Sequence, residues 1–340
     1  MTSHPPVVPA EQVARLARLV APLGTVADVE QLTGGMFAIA YRVTLVDGRR
    51  VVVKTMPPTA DGLLTYERDL LRTEAEVYGL AAQRPDLLMP QVLLTDFTRA
   101  VMPGDALVVE YLDGVPLTEL GPADPTQEAD HQHQLGVYMA RLHTVTGTVF
   151  GYPNPAAGLA APTWPEAFDL MVDAILRDAE RWQVAVQAAD VRAAVARHRA
   201  ALAEVDVPHL VHTDLWAGNL FVEPVTRRLC GVIDTERSVW GDPLLELAGA
   251  DELSRGPVPD ALVRGYLSAG GALALGTPAG EARLLLYRMY IALVLLVVVP
   301  ARGFEGDWVE PYRATCAANL AAALDALHRL DALHRPDALR

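Results

Sequence analysis

The chain has 340 residues, of which 51% are hydrophobic, and its formal net charge is −14. This length and hydrophobic content allow a large buried core and two domains or lobes, while the acidic balance disfavours nucleic acid and anionic membranes as partners and leaves small molecules. Two cysteines, Cys230 and Cys316, without a CxxC pair, give neither a disulfide framework nor a zinc site. Because the amino terminus lacks the basic start and apolar run of an export signal, we expect a cytoplasmic protein.

The amino-terminal part predicts a short helix followed by antiparallel strands. Apolar residues recur at helical spacing over residues 10–21. Alternating apolar residues then turn at Asp47-Gly48, a pair that is favoured in tight hairpins. The diglycine Gly34-Gly35 falls in the preceding turn, where the lack of side chains would let backbone amides approach a phosphate.

The last of these strands ends at the chain's single lysine. Of 28 Lys and Arg residues, only Lys54 is a lysine. Since an ammonium is a compact point charge that a guanidinium does not replace, we interpret Lys54 as a functional cation. The alternative is that an exposed lysine has persisted by chance.

A helix is predicted over residues 62–82, and one of its residues suggests a partner for that lysine. Glu74 falls within the apolar stripe of this helix, at helical spacing from the leucines before it. A carboxylate on a buried face needs a cation, and the preceding strand supplies one. We therefore predict an ion pair between Lys54 and Glu74; the alternative places Glu74 at the edge of the stripe.

Two further strands complete the first of two predicted domains. The segments "QVLLTDF" and "ALVVEYLDG" read as strands, so residues 1–112 are expected to form a five-stranded antiparallel sheet with one inserted helix. The turn pair Asp113-Gly114 marks the boundary. Residues 113–335 form the second domain in this division, and residues 336–340 form a tail that begins with a proline.

The second predicted domain is mainly helical, with one exception. Over residues 209–234 the short apolar runs "LFV" and "RLCGVID" predict a small hairpin. The longest apolar run, residues 290–300, is too short to span a bilayer, so we expect a buried helix and no membrane partner.

The segment "HTDLWAGN", residues 212–219, carries the strongest chemical signal. Phosphoryl transfer needs a base that orients the acceptor, a divalent ion held by oxygen ligands and a cation on the donor phosphates. Asp214 offers the base, and Asn219 with Asp234 offers oxygen ligands suited to magnesium. Lys54 offers the cation.

In the order and spacing of these motifs, the chain resembles the aminoglycoside phosphotransferase family, relatives of the protein kinases. The matching segments are "HTDLWAGN", "VID", "GDPLLELA", the strand ending at Lys54, "TEAEVYGL" around Glu74, and "VVEYLDG". The resemblance covers residues from about 28 to 320. It implies an α+β, bilobal, protein-kinase-like fold, with the sheet in a nucleotide-binding lobe and the hairpin beside a catalytic loop in an acceptor-binding lobe.

The resemblance also assigns nucleotide contacts. It implies that ATP or GTP is bound with Mg²⁺, that the backbone at Glu110 and Leu112 meets the adenine, and that the turn of Gly34, Gly35 and Met36 covers the phosphates. Met36 stands where relatives often carry a polar residue.

Other residues are candidates for the acceptor site or for its support. Trp216 follows the proposed base by two residues and either forms one wall of an acceptor pocket or packs under the loop. Glu236 and Asp242 would suit an acceptor that carries amino groups. Glu246 replaces the Asp usual in "GDPxxDLA" and is long enough to support the catalytic loop.

These features together predict a magnesium-dependent kinase that phosphorylates a hydroxyl of a small molecule, acting as a monomer or homodimer. Family resemblance favours an antibiotic or related natural product as acceptor; a metabolic alcohol such as choline, homoserine or a ketosamine is the alternative. A nucleotide-binding pseudokinase would usually have lost one of the four residues that carry the chemistry, all of which are present. A metal-dependent hydrolase would need further ligands for a second metal ion.

Overall fold

A computed structural model describes residues 7–32, 38–57 and 62–333. The chain forms two compact units, each assembled from three stretches of sequence. The first unit comprises Met1–Asp61, Asp69–Leu117 and Leu220–Glu236, and the second comprises Gly62–Arg68, Thr118–Asn219 and Arg237–Arg340.

The described residues form ten α-helices and twelve β-strands. The helices are α1 Ala10–Val20, α2 Leu70–Ala81, α3 Pro125–Leu142, α4 Trp164–Arg181, α5 Ala188–Arg197, α6 Arg199–Leu202, α7 Pro243–Ala250, α8 Asp260–Ser268, α9 Pro278–Arg302 and α10 Val309–Leu333. The strands are β1 Val26–Gln31, β2 Ile39–Leu45, β3 Arg50–Thr55, β4 Val92–Asp96, β5 Ala106–Glu110, β6 Val115–Pro116, β7 Phe150–Gly151, β8 Ala160–Ala161, β9 His209–Val211, β10 Leu220–Val222, β11 Leu229–Val232 and β12 Val239–Gly241.

The first unit is built on the predicted five-stranded antiparallel sheet. Its strand order is β1-β2-β3-β5-β4, and every neighbouring pair is antiparallel. Strands β2 and β3 bury alternate residues, as period-two patterning requires, and helix α1 packs Leu16, Leu19 and Val20 into the same core. Gly48 has a φ of 86°, which is the left-handed conformation that the predicted hairpin turn needs.

The predicted helix over residues 62–82 is wrong in its first part. The α-helix begins only at Leu70, and Thr65–Glu67 forms a single 3₁₀ turn within the second unit. There the backbone N–H and the hydroxyl of Thr65 both donate to the carboxylate of Asp178, at 2.7 and 2.9 Å. These tertiary hydrogen bonds override the local helical pattern. Asp69, with a φ of 54°, has a left-handed conformation that interrupts the right-handed helix before α2.

The predicted hairpin of β10 and β11 is confirmed, but it belongs to the first unit. Strand β10 pairs with β11 on one side and with β6 on the other, and the N–H of Val232 donates to the carbonyl of Leu88. The sequence predicts a single domain boundary, between residues 112 and 113. In the structure the chain instead crosses between the two compact units several times, because this hairpin packs with the amino-terminal segment.

The second unit is helical around α9. By length and composition α9 is apolar enough to cross a membrane, but 72% of its most apolar 18-residue window is buried inside the protein. It packs against α4, α6, α7 and α10, so the expectation of a buried helix is met. Helices α3 and α8 approach closely through glycines: a Cβ on Gly136 would lie 2.0 Å from the carbonyl oxygen of Leu262.

Alanine substitutions at two helical glycines should therefore change the free energy of unfolding in opposite directions. Gly136→Ala forces a methyl group into the backbone of α8, and we expect it to lower the free energy of unfolding by about 1–3 kcal/mol. Gly79→Ala, on exposed α2 backbone with nothing within 4 Å, should raise it by up to about 1 kcal/mol. Urea denaturation measures both; equal effects would contradict the close approach of α3 and α8.

Candidate active site

The candidate residues lie in two groups, one in each unit. In the first unit, Lys54 on β3 places its Nζ 2.7 Å from Glu74 Oε2, 2.5 Å from Asp234 Oδ1 and 4.0 Å from Glu236 Oε2. We call these four residues the lysine cluster. The ion pair predicted between Lys54 and Glu74 forms, and the structure adds two carboxylates to it.

The charge balance of the lysine cluster keeps the ammonium protonated. Burial alone lowers the pKa of Lys54, but the charges of Asp234, Glu74 and Glu236 outweigh burial and raise the pKa above its ordinary value. A permanent cation here is surrounded by oxygen atoms, and anionic phosphates are the ligands that would compete with the carboxylates for it.

Tyr78 links the parts of the lysine cluster and is not among the residues predicted for the site. Its hydroxyl donates to Glu74 Oε1 at 2.6 Å and accepts the backbone N–H of Asp234 at 3.0 Å. Asp234 has a φ of 69°, which is a strained conformation for a residue with a Cβ. Tyr78 lies one turn after Glu74 on the same helix, and that spacing was the signal in the sequence.

In the second unit, residues 212–219 form what we call the Asp214 loop. The Asn219 Nδ2 donates to the Asp214 carbonyl oxygen at 2.9 Å and to its carboxylate Oδ2 at 3.0 Å. Both residues are more than nine-tenths buried. The spacing of five residues thus brings the amide of Asn219 against the carboxylate of Asp214 and fixes the direction in which that carboxylate points.

A fully buried carboxylate on α7 holds the Asp214 loop from below. Glu246 accepts the backbone N–H groups of His212 and Thr213, at 2.7 and 2.9 Å. Thr213 has a φ of 66°, and a Cβ on Gly249 would lie 2.3 Å from its carbonyl oxygen. The longer side chain of Glu246 therefore supports the loop, and Gly249 lets α7 approach it.

Arg237 forms a second contact to Asp214, which no motif in the sequence predicts. Its Nη1 lies 3.1 Å from Asp214 Oδ1 and 3.0 Å from Glu252 Oε1, so that one guanidinium nitrogen bridges two carboxylates. Burial raises the pKa of the Glu252 carboxyl to about 7, a rise that Arg237 opposes and Asp214 reinforces.

The other predicted residues have the following positions. Glu110 ends β5 and is exposed, and its N–H is bonded to the carbonyl of Gln91. The side chain of Leu112 packs near Gly231. Their predicted contact with adenine stays a prediction. Gly34, Gly35 and Met36 lie outside the described residues.

The three residues predicted to meet the acceptor differ in their surroundings. Trp216 is 45% exposed, and its indole lies so close to Gly218 that a Cβ there would be 2.3 Å from the ring. Glu236 belongs to the lysine cluster. Asp242 is buried, and its carboxylate accepts the hydroxyl of Tyr287 and pairs with Arg283, both at 2.8 Å. The geometry gives Glu236 and Asp242 other contacts, and their acceptor roles stay predictions.

A model of the phosphotransferase enzyme family, APH, matches residues 28–287. The chain belongs to this phosphotransferase enzyme family, as the resemblance of its motifs predicted. No curated protein matches the chain significantly.

Solved structures share the kinase-like α+β fold. A candidate fructosamine-3-kinase from Thermobifida fusca is 23% identical, with a TM-score of 0.66 over 93% of this chain and 100% of its own. A thermostable mutant of aminoglycoside phosphotransferase APH(4)-Ia, in ternary complex with ADP and hygromycin B, is 20% identical, with a TM-score of 0.60 over 91% and 97%. A macrolide 2′-phosphotransferase type I is 20% identical, with a TM-score of 0.55 over 93% and 98%.

Removal of one hydroxyl tests the link made by Tyr78. Tyr78→Phe leaves the N–H of Asp234 and one oxygen of Glu74 without this partner, and we expect the free energy of unfolding to fall by about 1–3 kcal/mol. Tyr138→Phe is the matched control, because the equally buried hydroxyl of Tyr138 has no hydrogen-bond partner among the described residues. Urea denaturation should show a loss for the first variant alone.

The raised pKa of Glu252 predicts a pH dependence of stability. Between its ordinary value of 4.5 and about 7, the folded protein holds a proton that the unfolded chain has released, so the free energy of unfolding falls as pH rises through this range. Glu252→Gln removes this term, and the stability of the variant relative to the wild type should rise from pH 4.5 to 8 by about 1–3 kcal/mol.

The exposed Glu310 provides the control for this experiment. Glu310→Gln should leave the pH profile of urea unfolding parallel to that of the wild type, because this side chain is 80% exposed. A parallel profile for Glu252→Gln as well would show that the Glu252 carboxyl titrates alike in the folded and unfolded chain.

Proposed function

We propose that the protein is an ATP- and magnesium-dependent kinase that transfers the γ-phosphoryl group to a hydroxyl of a small molecule. The observation that carries the proposal is the carboxylate of Asp214, oriented by the amide of Asn219 within one loop of a chain that belongs to a phosphotransferase family. Complexes of a relative with ADP support the nucleotide.

The reaction assigns a task to each group of residues. Asp214 orients the acceptor hydroxyl and takes its proton while the acceptor oxygen bonds to the γ-phosphorus. The bond between that phosphorus and the β,γ-bridging oxygen breaks, and ADP leaves. Lys54, held charged by its cluster, neutralises the phosphate oxygens.

Asn219 and Asp234 each carry an oxygen donor of the kind that magnesium prefers. Both side-chain hydrogen bonds of Asn219 run through its Nδ2, which leaves its amide oxygen for a hard cation, and Asp234 supplies a carboxylate. When bound, Mg²⁺ would add positive charge to the phosphate oxygens. Asn219 and Asp234 are the ligands that we propose for it.

For the acceptor we propose an antibiotic or related natural product. The relatives bound to hygromycin B or named for macrolides support this class. A metabolic alcohol of the ketosamine type is the second candidate, supported by the TM-score of 0.66 to the candidate fructosamine-3-kinase. The retention of Lys54, Asp214, Asn219 and Asp234 favours an active kinase over a pseudokinase.

The test is ATP consumption with Mg²⁺ across a panel of antibiotics and small alcohols, with the products examined by mass for an added phosphoryl group. The panel contains aminoglycosides, nucleosides, peptides, macrolides, choline, homoserine and a ketosamine. We expect one class to be phosphorylated, and Asp214→Ala to lower the rate by about 10²- to 10⁴-fold because the positioned base is lost.

Asp206→Ala is the matched control, since Asp206 is an exposed carboxylate in the same unit. It should retain the wild-type rate. Lys54→Met should lose turnover, because a methionine side chain cannot neutralise the phosphate oxygens of ATP. A wild-type protein that neither binds nor consumes ATP would contradict the kinase proposal, and phosphorylation of a ketosamine alone would favour the second candidate.

A further inference from the structure

We propose that Arg237 is a positioning residue for the catalytic carboxylate, and that Glu252 acts on catalysis only through Arg237. This inference rests on the proposed function, because it assigns to Asp214 the role of base. It adds two residues that lie outside the predicted set of base, metal ligands and nucleotide contacts.

The first observation is that the two carboxylate oxygens of Asp214 accept hydrogen bonds from different side chains. Arg237 Nη1 binds Oδ1 at 3.1 Å, and Asn219 Nδ2 binds Oδ2 at 3.0 Å. Donors on both oxygens fix the plane of the carboxylate as well as its position.

The second observation is that Arg237 is itself held in place. The hydroxyl of Thr213 donates to the carbonyl oxygen of Arg237 at 2.9 Å, which ties its backbone to the Asp214 loop. Glu252 binds the same Nη1 from another direction, and all three charged side chains are less than one-fifth exposed. The guanidinium therefore has one defined position.

The third observation is that one positive charge, on Arg237, faces two carboxylates. One guanidinium serves two carboxylates, so Glu252 takes part of the positive charge that would otherwise act on Asp214 alone. A base needs orientation without complete neutralisation, because a carboxylate fully satisfied by a cation is a poor acceptor of a proton. Glu252 is thus placed to moderate the hold of Arg237 on the base.

The experiment measures ATP hydrolysis with Mg²⁺, in which water replaces the unidentified acceptor, in the full chain. Arg237→Met should lower kcat by about 100-fold, because misplacement of a catalytic group costs about that factor, and should change KM for ATP less than about twofold. Arg237→Lys should recover part of kcat. In the Asp214→Asn background, Arg237→Met should lower kcat no further.

Glu252→Gln should change kcat in the wild-type background and leave it unchanged in the Arg237→Met background. The double variant also answers the risk of misfolding, because it removes a buried cation and one of its carboxylates together. Arg302→Met is the matched structural control: it breaks another buried guanidinium–carboxylate pair, with Glu67, and should lower stability without lowering kcat.

An equal loss from Arg237→Met in the Asp214→Asn background, or a change in KM alone, would overturn the inference. So would an Arg302→Met variant that loses kcat to the same extent, since that result would assign the effect to stability. Failure of the proposed function looks different: the wild-type protein would bind no ATP, measured directly by titration with a fluorescent ATP analogue.

Discussion

The conformation of the Asp214 loop depends on one buried carboxylate that accepts two backbone N–H groups. Glu246 lies at the start of α7, where the helix dipole favours a negative charge, and it holds the backbone of His212 and Thr213. Without it, two buried N–H groups would lack a partner, at a cost of about 1–3 kcal/mol each. The left-handed conformation of Thr213, and with it the direction of the next residue, Asp214, is stable because this pair of hydrogen bonds fixes it.

In both units, a scarce cation serves several carboxylates. One ammonium contacts three carboxylates in the lysine cluster, and one guanidinium nitrogen bridges two beside the Asp214 loop. In a chain with 28 basic and 42 acidic residues, such sharing leaves buried negative charge only partly compensated. Buried carboxylates in that condition favour the binding of further positive charge, such as a metal ion.

The parts of the candidate site that follow from local motifs can be located in the sequence. Asp214, Asn219 and Lys54 are marked by residue type and spacing, and the place of Glu74 follows from helical periodicity. Arg237 was not predictable in this way, because its partners lie 23 residues before and 15 residues after it and meet it only through tertiary packing. The predicted start of α2 was wrong for the same reason: hydrogen bonds from Thr65 to Asp178, 113 residues away, outweigh local helix propensity.

The interleaving of the units constrains how the chain acquires its structure. The backbone passes from one unit to the other five times, so no contiguous fragment consists of one unit alone. A fragment that ends at Leu117 would carry β6 without its partner β10, and a fragment that begins at Thr118 would leave Asp178 and Arg302 buried without Thr65 and Glu67. The contacts that complete each unit join residues far apart in sequence, and loop closure must precede them. The first unit is therefore complete only after synthesis has passed Glu236, and the second unit only after the stretch that begins at Arg237 has been made. This order favours slow, cooperative folding over the independent folding of separate domains.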